Sequence, residues 1–148
     1  MIEATTTHPT TLVLRHTVNA PQERVYTAWT TPEILRTFIA PEGVKAGVVT
    51  ADARVGGAYS IEMILEDGPM IVRGTYTELR PYEHIACSWT WDEDDASEMH
   101  ETQLTIDLIP HGEKTEVVLT QSNLRDETSR DNHVKGWSSI LENLGTIS

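Results

Sequence analysis

The last twenty residues, SRDNHVKGWSSILENLGTIS (129–148), carry a long helical apolar stripe, and most of the chain before them reads as strand. Val134, Trp137, Ile140, Leu141 and Leu144 recur at three- and four-residue spacing, which puts them on one helix face. One long amphipathic helix has to bury that face against another layer. In this chain the only sizeable layer on offer is a sheet, so the pattern predicts an α+β fold. Asp126 or Ser129 is placed to cap the helix start, and Asp131 and Glu127 suit its positive end. Gly145 reads as a stop signal. Gly136 is the exception, since a mid-helix Gly costs about 1 kcal/mol against Ala. Just before Trp137, it marks either a close approach by a backbone or ligand, or a defect tolerated on an exposed face.

The preceding segments fall in a definite order. Residues 1–9 read as a flexible tail and 10–148 as a single domain. Residues 10–19 alternate, with Leu12, Leu14, His16 and Val18 on one side, and predict the first strand. Pro21 opens a helix over 21–30 and Pro32 a second over 32–38. Strand patterns follow at 44–53, 58–65, 70–79, 84–91, 102–109 and 115–122. Turn signals separate them at Gly56-Gly57, Glu66-Asp67-Gly68-Pro69, Pro81, the acidic stretch 92–98 and Pro110-His111-Gly112. Such hairpin spacing predicts an antiparallel sheet of about seven strands.

Charge and cysteine content exclude some functions. With 23 acidic and 11 basic residues the formal net charge is −12, and no basic stripe is present. Such a surface repels phosphate backbones and anionic lipid heads, so neither nucleic acid nor membrane is an expected partner. No apolar run nears the ~20 residues of a bilayer span. Cys87 is the only cysteine, which rules out an internal disulfide and fits the cytoplasm. Exposed strand edges are compatible with a homodimer.

Several stretches together resemble the START/birch-pollen-allergen (SRPBCC) superfamily. They are PQERVYTAWTTPEILRTFIAP, VGGAYSIEM, VRGTYTELRPYEHIACSWTW, TEVVLTQSNL and HVKGWSSILENL. Within it the chain is most similar to the branch of the activator of the 90-kDa heat-shock ATPase. The resemblance runs from Thr10 to the C-terminus. Its most specific pieces are Arg73-Gly74-Thr75-Tyr76 with Pro81, the Trp89/Trp91 pair and Gly136-Trp137. It implies a helix-grip fold, in which a curved sheet wraps the C-terminal helix and an apolar cavity lies between them. Members of the superfamily bind lipids, hormones or polyketides, act as cyclases, or assist a chaperone. The chain departs from the family at Thr37-Phe38-Ile39, where Trp residues are common, and at Gln121, where His is common.

The expected ligand is therefore a small hydrophobic or aromatic molecule. Its candidate wall comprises the aromatic residues Trp29, Phe38, Tyr59, Tyr76, Trp89, Trp91 and Trp137. Ile61, Met63 and Leu141 add aliphatic surface, and Gln121 and His133 add polar groups. Aromatic walls give contact area, while indole N–H and phenol O–H groups fix orientation. For each ring taken singly, the plain alternative is a place in a filled core. That alternative goes with a protein-interaction or chaperone-assisting module. A cyclase- or hydrolase-like enzyme using the same cavity is a further reading. No GxSxG, HExxH, P-loop or paired-Cys pattern occurs, so no catalytic residue, metal or cofactor is assigned. Of the histidines, His133 lies one helical turn before Trp137 and is the first candidate for a base at the cavity mouth, with a structural or surface role as the plainer reading. The acidic hairpin near 92–101 is oxygen-rich but lacks the glycine and closing Glu of a calcium loop, and reads as a solvated turn.

Overall fold

The structure, a computed structural model, describes residues 2–92 and 99–145. Among them eight strands and three helices follow one another. They are β1 (Glu3–His8), β2 (Thr11–Val18), α1 (Gln22–Thr30), α2 (Pro32–Phe38), β3 (Lys45–Ala51), β4 (Ala58–Leu65), β5 (Gly68–Arg80), β6 (His84–Trp91), β7 (Thr102–His111), β8 (Lys114–Ser122) and α3 (Glu127–Leu144). The strands form one antiparallel sheet in the order β1-β2-β8-β7-β6-β5-β4-β3. From β3 to β8 the chain meanders, and β2 closes against β8. This is the α+β helix-grip arrangement the sequence predicts. Of the acidic stretch 92–98 only Asp92 is described, and it pairs with Arg73. Gly145, the expected stop, is the C-terminal cap of α3, while 93–98 and 146–148 lie outside the described residues.

Period-2 alternation decides which side of each strand faces the helices. Leu12, Leu14 and Val18 of β2 are buried, as are Tyr59, Ile61 and Met63 of β4. Ile85, Cys87 and Trp89 of β6, Leu104, Ile106 and Leu108 of β7, and Val117, Leu119 and Gln121 of β8 continue the same face. Over it lie Val25, Ala28 and Trp29 of α1, Leu35 and Phe38 of α2, and Trp137, Ile140, Leu141 and Leu144 of α3. Asp126 caps α3 by accepting the Ser129 backbone N–H at 2.8 Å, which supplies one of the four first-turn donors with a partner.

Two expectations need correction. Residues 3–8 are not an irregular tail but a strand, β1, paired with β2. Its side chains are nearly all exposed, so it carries no hydrophobic alternation to read. What places it is backbone pairing to the edge of β2 together with Arg130 of α3, whose Nη1 donates to the carbonyls of Thr6 and His8 at 3.1 and 3.0 Å. The β7–β8 turn also comes later than predicted. Pro110 and His111 still pair, with Thr115 and Lys114, and the reversal sits at Gly112, whose φ of +67° suits glycine.

Gly74 of β5 shows how closely the β4–β5–β6 region is packed. A Cβ there would lie 2.0 Å from the Ser88 carbonyl oxygen and 2.6 Å from the Tyr59 ring. The Tyr59 hydroxyl crosses that gap and donates to the same Ser88 oxygen at 2.5 Å. Gly74→Ala is therefore expected to destabilise the fold by about 1–3 kcal/mol through overpacking. A urea midpoint unchanged from the parent would show that the strands can separate enough to admit a methyl group.

Candidate functional site

Ten of the twelve candidate wall residues are buried, while Trp91 and His133 are half-buried. The rings form a continuous array. Trp137 lies 4.7 Å from Trp89 and 6.3 Å from Trp29, centroid to centroid, and Trp29 meets Phe38 edge-on at 5.0 Å. Tyr59 sits 6.5 Å from Trp89 and 5.5 Å from Tyr76, and Trp91 meets Trp89 edge-on at 5.8 Å. These rings nearly fill the space under α3. The hollow they leave is about 30 Å³ and is lined by Trp29, Tyr59, Ile61, Tyr76, Trp89 and Trp137 among others. That is room for a water-sized group and not for an aromatic ligand.

The larger open space lies to one side. A groove of about 550 Å³ runs between α3 and the β4–β5 hairpin. Of the twelve residues named from the sequence, Met63, Trp89, Trp91, His133 and Trp137 line it. Val44, Leu65, Met70, Gly136 and Ile140 line it too, and were not foreseen as wall residues. Met63 and Met70 face one another across the hairpin in direct register, because the turn is the two residues Glu66-Asp67 and not the 66–69 expected, for Gly68 and Pro69 already pair with Leu65 and Ile64. Phe38, Gln121 and Leu141 line neither space.

Among the described residues Gly136 has no neighbour that would explain it. A Cβ at this position would meet nothing within 4 Å among the described residues, so none of their backbone makes the close approach considered above. The residue instead opens onto the groove.

Behind the rings runs a chain of buried hydrogen bonds. Trp137 Nε1–H donates to Gln121 Oε1 at 2.8 Å, Gln121 Nε2 donates to Thr102 Oγ1 at 2.9 Å, and Thr102 donates to the Trp89 carbonyl at 2.7 Å. Gln121 is fully buried and holds the Trp137 ring from behind rather than touching the open groove. At the groove's other end, His133 Nδ1–H donates to the Ser129 carbonyl at 2.7 Å, and His133 Nε2 accepts from Trp91 Nε1–H at 3.3 Å. Both ring nitrogens are engaged, and burial pushes the imidazole pKa down, against the opposing pull of the Ser129 bond. His133 thus stands as a neutral group that orients Trp91, with no free lone pair for a general base.

The other titratable groups in the cluster are no more reactive. Burial pushes the Cys87 thiol up to about 12 and the Tyr59 and Tyr76 hydroxyls above their ordinary range. Among the described residues no group of His, Cys, Asp and Glu side chains is arranged to hold a metal, and no helix is long and apolar enough to cross a membrane. The site offers apolar contact and oriented donors.

Comparison with known proteins places this geometry. The sequence family described as activator of Hsp90 ATPase homolog 1-like protein matches residues 19–148. The chain belongs to that family. Protein CV1439 from Chromobacterium violaceum is 32% identical, with a TM-score of 0.83 over 94% of this chain and 97% of that one. The AHSA1 protein SPO3351 from Silicibacter pomeroyi is 22% identical, with a TM-score of 0.80 over 92% and 95% of the two chains. CalU16 from Micromonospora echinospora is 18% identical, with a TM-score of 0.70 over 99% and 85%. The last two are similar in fold. No functionally curated protein matches the sequence. Membership of the Hsp90 ATPase activator homolog 1-like family agrees with the resemblance carried by Gly74, the Trp89/Trp91 pair and Gly136-Trp137.

The state of His133 has a consequence for stability. Its pKa in the fold lies below the ordinary 6.5, so on passing below pH 6.5 the unfolded chain takes up the proton first. The contribution of this site is therefore complete above pH 6.5 and declines as the pH falls through the folded-state pKa. Urea midpoints between pH 7 and 5 should fall more steeply for the parent than for His133→Phe. Parallel curves would remove His133 as a source of the pH dependence.

Proposed function

We propose that this chain is a cytoplasmic protein that binds a small apolar or aromatic molecule in the groove between α3 and the β4–β5 hairpin. Gly136 is the observation that carries this reading. A glycine in the middle of a helix is unfavourable by about 1 kcal/mol, and here it makes room for none of the described residues. The room it leaves belongs to an open groove, whose size of about 550 Å³ falls in the range of small-molecule sites. Three of the four tryptophans, Trp89, Trp91 and Trp137, line that groove. Their fluorescence should respond when fatty acids, flavonoids and polyketides are titrated in. Silence across the whole panel would sink the proposal.

A second reading rests on the small hollow under α3. A core packed this fully also suits a module that acts by touching another protein, in keeping with the family's description as a homologue of an Hsp90 ATPase activator. Acceleration of the ATPase of an Hsp90 by the purified chain would support it, and an unchanged rate would dismiss it.

A further inference from the structure

The groove changes character along its length. On the α3 side its wall includes the row Asn132, Gly136 and Ile140, which four-residue spacing stacks on one helix face. Eight residues of α-helix put Ile140 about 12 Å from Asn132. The Ile140 end is apolar. The loop after α2 docks there, with the Glu42 backbone N–H donating to Ser139 Oγ at 2.7 Å and Asn143 Nδ2 donating to the Ala40 carbonyl at 2.9 Å, and it sets Pro41 and Val44 at this end of the wall. At the other end stand Trp91, His133 and Asn132. The first two commit their ring nitrogens to each other and to the Ser129 carbonyl. Asn132 is exposed, and its side-chain amide offers both donors and an acceptor. Gly136 lies between the two ends and leaves the middle open.

No formal charge stands in this wall. Among the described residues that line it there is no Asp, Glu, Lys or Arg, and burial keeps His133 neutral at pH 7. The residues outside the description, Met1, 93–98 and 146–148, hold no basic side chain to add. A carboxylate laid in the groove would lose hydration with no cation to replace it, and an ammonium would lose its own with no carboxylate in the described wall. The net charge of −12 adds a repulsion against anions. An uncharged hydroxyl or amide meets neither obstacle, because it exchanges water for an amide partner at little cost.

Resting on the ligand-binding reading above, we infer that the groove takes an uncharged, elongated amphipath, with a hydroxyl or amide head at Asn132 and an apolar body that runs past Gly136 to Pro41, Val44 and Ile140. Asn132 fixes the direction in which the molecule lies. The uncharged wall ranks neutral molecules above carboxylates, fatty acids included.

Four matched probes test this at pH 7.5 by tryptophan fluorescence: 4-hydroxybiphenyl, biphenyl, biphenyl-4-carboxylate and the ammonium form of 4-(aminomethyl)biphenyl. The hydroxyl probe should bind about fivefold more tightly than biphenyl, and about tenfold or more above either ion. Asn132→Leu removes the amide at an exposed helix position, and should bring 4-hydroxybiphenyl and biphenyl to equal affinity. In the NMR spectrum of the parent protein, which needs no substitution to fold, the Asn132 side-chain amide signals should shift further with the hydroxyl probe than with biphenyl. The Ile140 methyl signals should shift with both. Equal shifts of the Asn132 amide with the two probes, or a preference for the hydroxyl that survives Asn132→Leu, would overturn the inference. So would either ion binding as tightly as 4-hydroxybiphenyl. Each of these results leaves the ligand-binding reading intact, whereas failure of all four probes to bind would bring down both.

Discussion

Trp137→Ala is expected to cost about 3–5 kcal/mol of folding stability, a large share of the 5–15 kcal/mol typical of a domain. The indole is 2% exposed and packs against both Trp89 and Trp29, so its loss opens a void in the middle of the ring array. The truncation also strips Gln121 Oε1 of its donor in a fully buried position. Trp137→Phe separates the two effects. It keeps a ring in place but breaks the bond to Gln121, and should cost about 1–3 kcal/mol. Urea denaturation of the three proteins measures both. A loss below about 1 kcal/mol for the alanine variant would mean that the surrounding rings collapse into the space. Since Trp137 also walls the groove, any ligand that quenches the parent's fluorescence should bind the alanine variant more weakly. Unchanged affinity would place that ligand elsewhere.

Gly136→Leu is expected to work in the opposite sense on the fold. Leucine is a far better helix former than glycine, and its Cβ meets nothing within 4 Å, so stability should rise by up to about 1 kcal/mol. The added isobutyl group projects into the groove, and ligand affinity should fall at least about tenfold, or 1.4 kcal/mol. Gly136→Ala serves as the control, with most of the helix gain and little obstruction. A stabilised leucine variant that still binds at the parent's affinity would move the ligand out of the groove. A destabilised one would show that the glycine is packed after all. The pairing of higher stability with lost binding is informative because a merely damaged protein cannot produce it.

Much of this fold could be read from the order of residues. Pro32–Phe38, Ala58–Leu65 and His84–Trp91 begin and end where proline, glycine and alternation put them. Each owes its bounds to local signals: a proline at the first helical turn, or a strict in-out pattern ended by turn residues. β1 gave no such signal, because a strand exposed on both faces has nothing to alternate. The placement of the open space was also hidden. Alternation says which side chains point toward the helix, but not whether they leave room beneath it. That depends on ring sizes and tilts across four separate elements. Trp29, Tyr59, Trp89 and Trp137 were rightly set on one face, and together they occupy most of the space expected for a ligand. Gly136 was legible as an anomaly, and only the empty volume beside it gave the anomaly a direction.

Arg130 links the two ends of the described chain. Its guanidinium grips the carbonyls of Thr6 and His8, and it stands about one helical turn before His133 and two before Gly136. A fusion partner or a protease acting on the leading residues would pull on the same helix that walls the groove. Affinity measured with an N-terminal tag would then report on the tag's leverage as well as on the ligand, so immobilisation through that end is the arrangement to avoid.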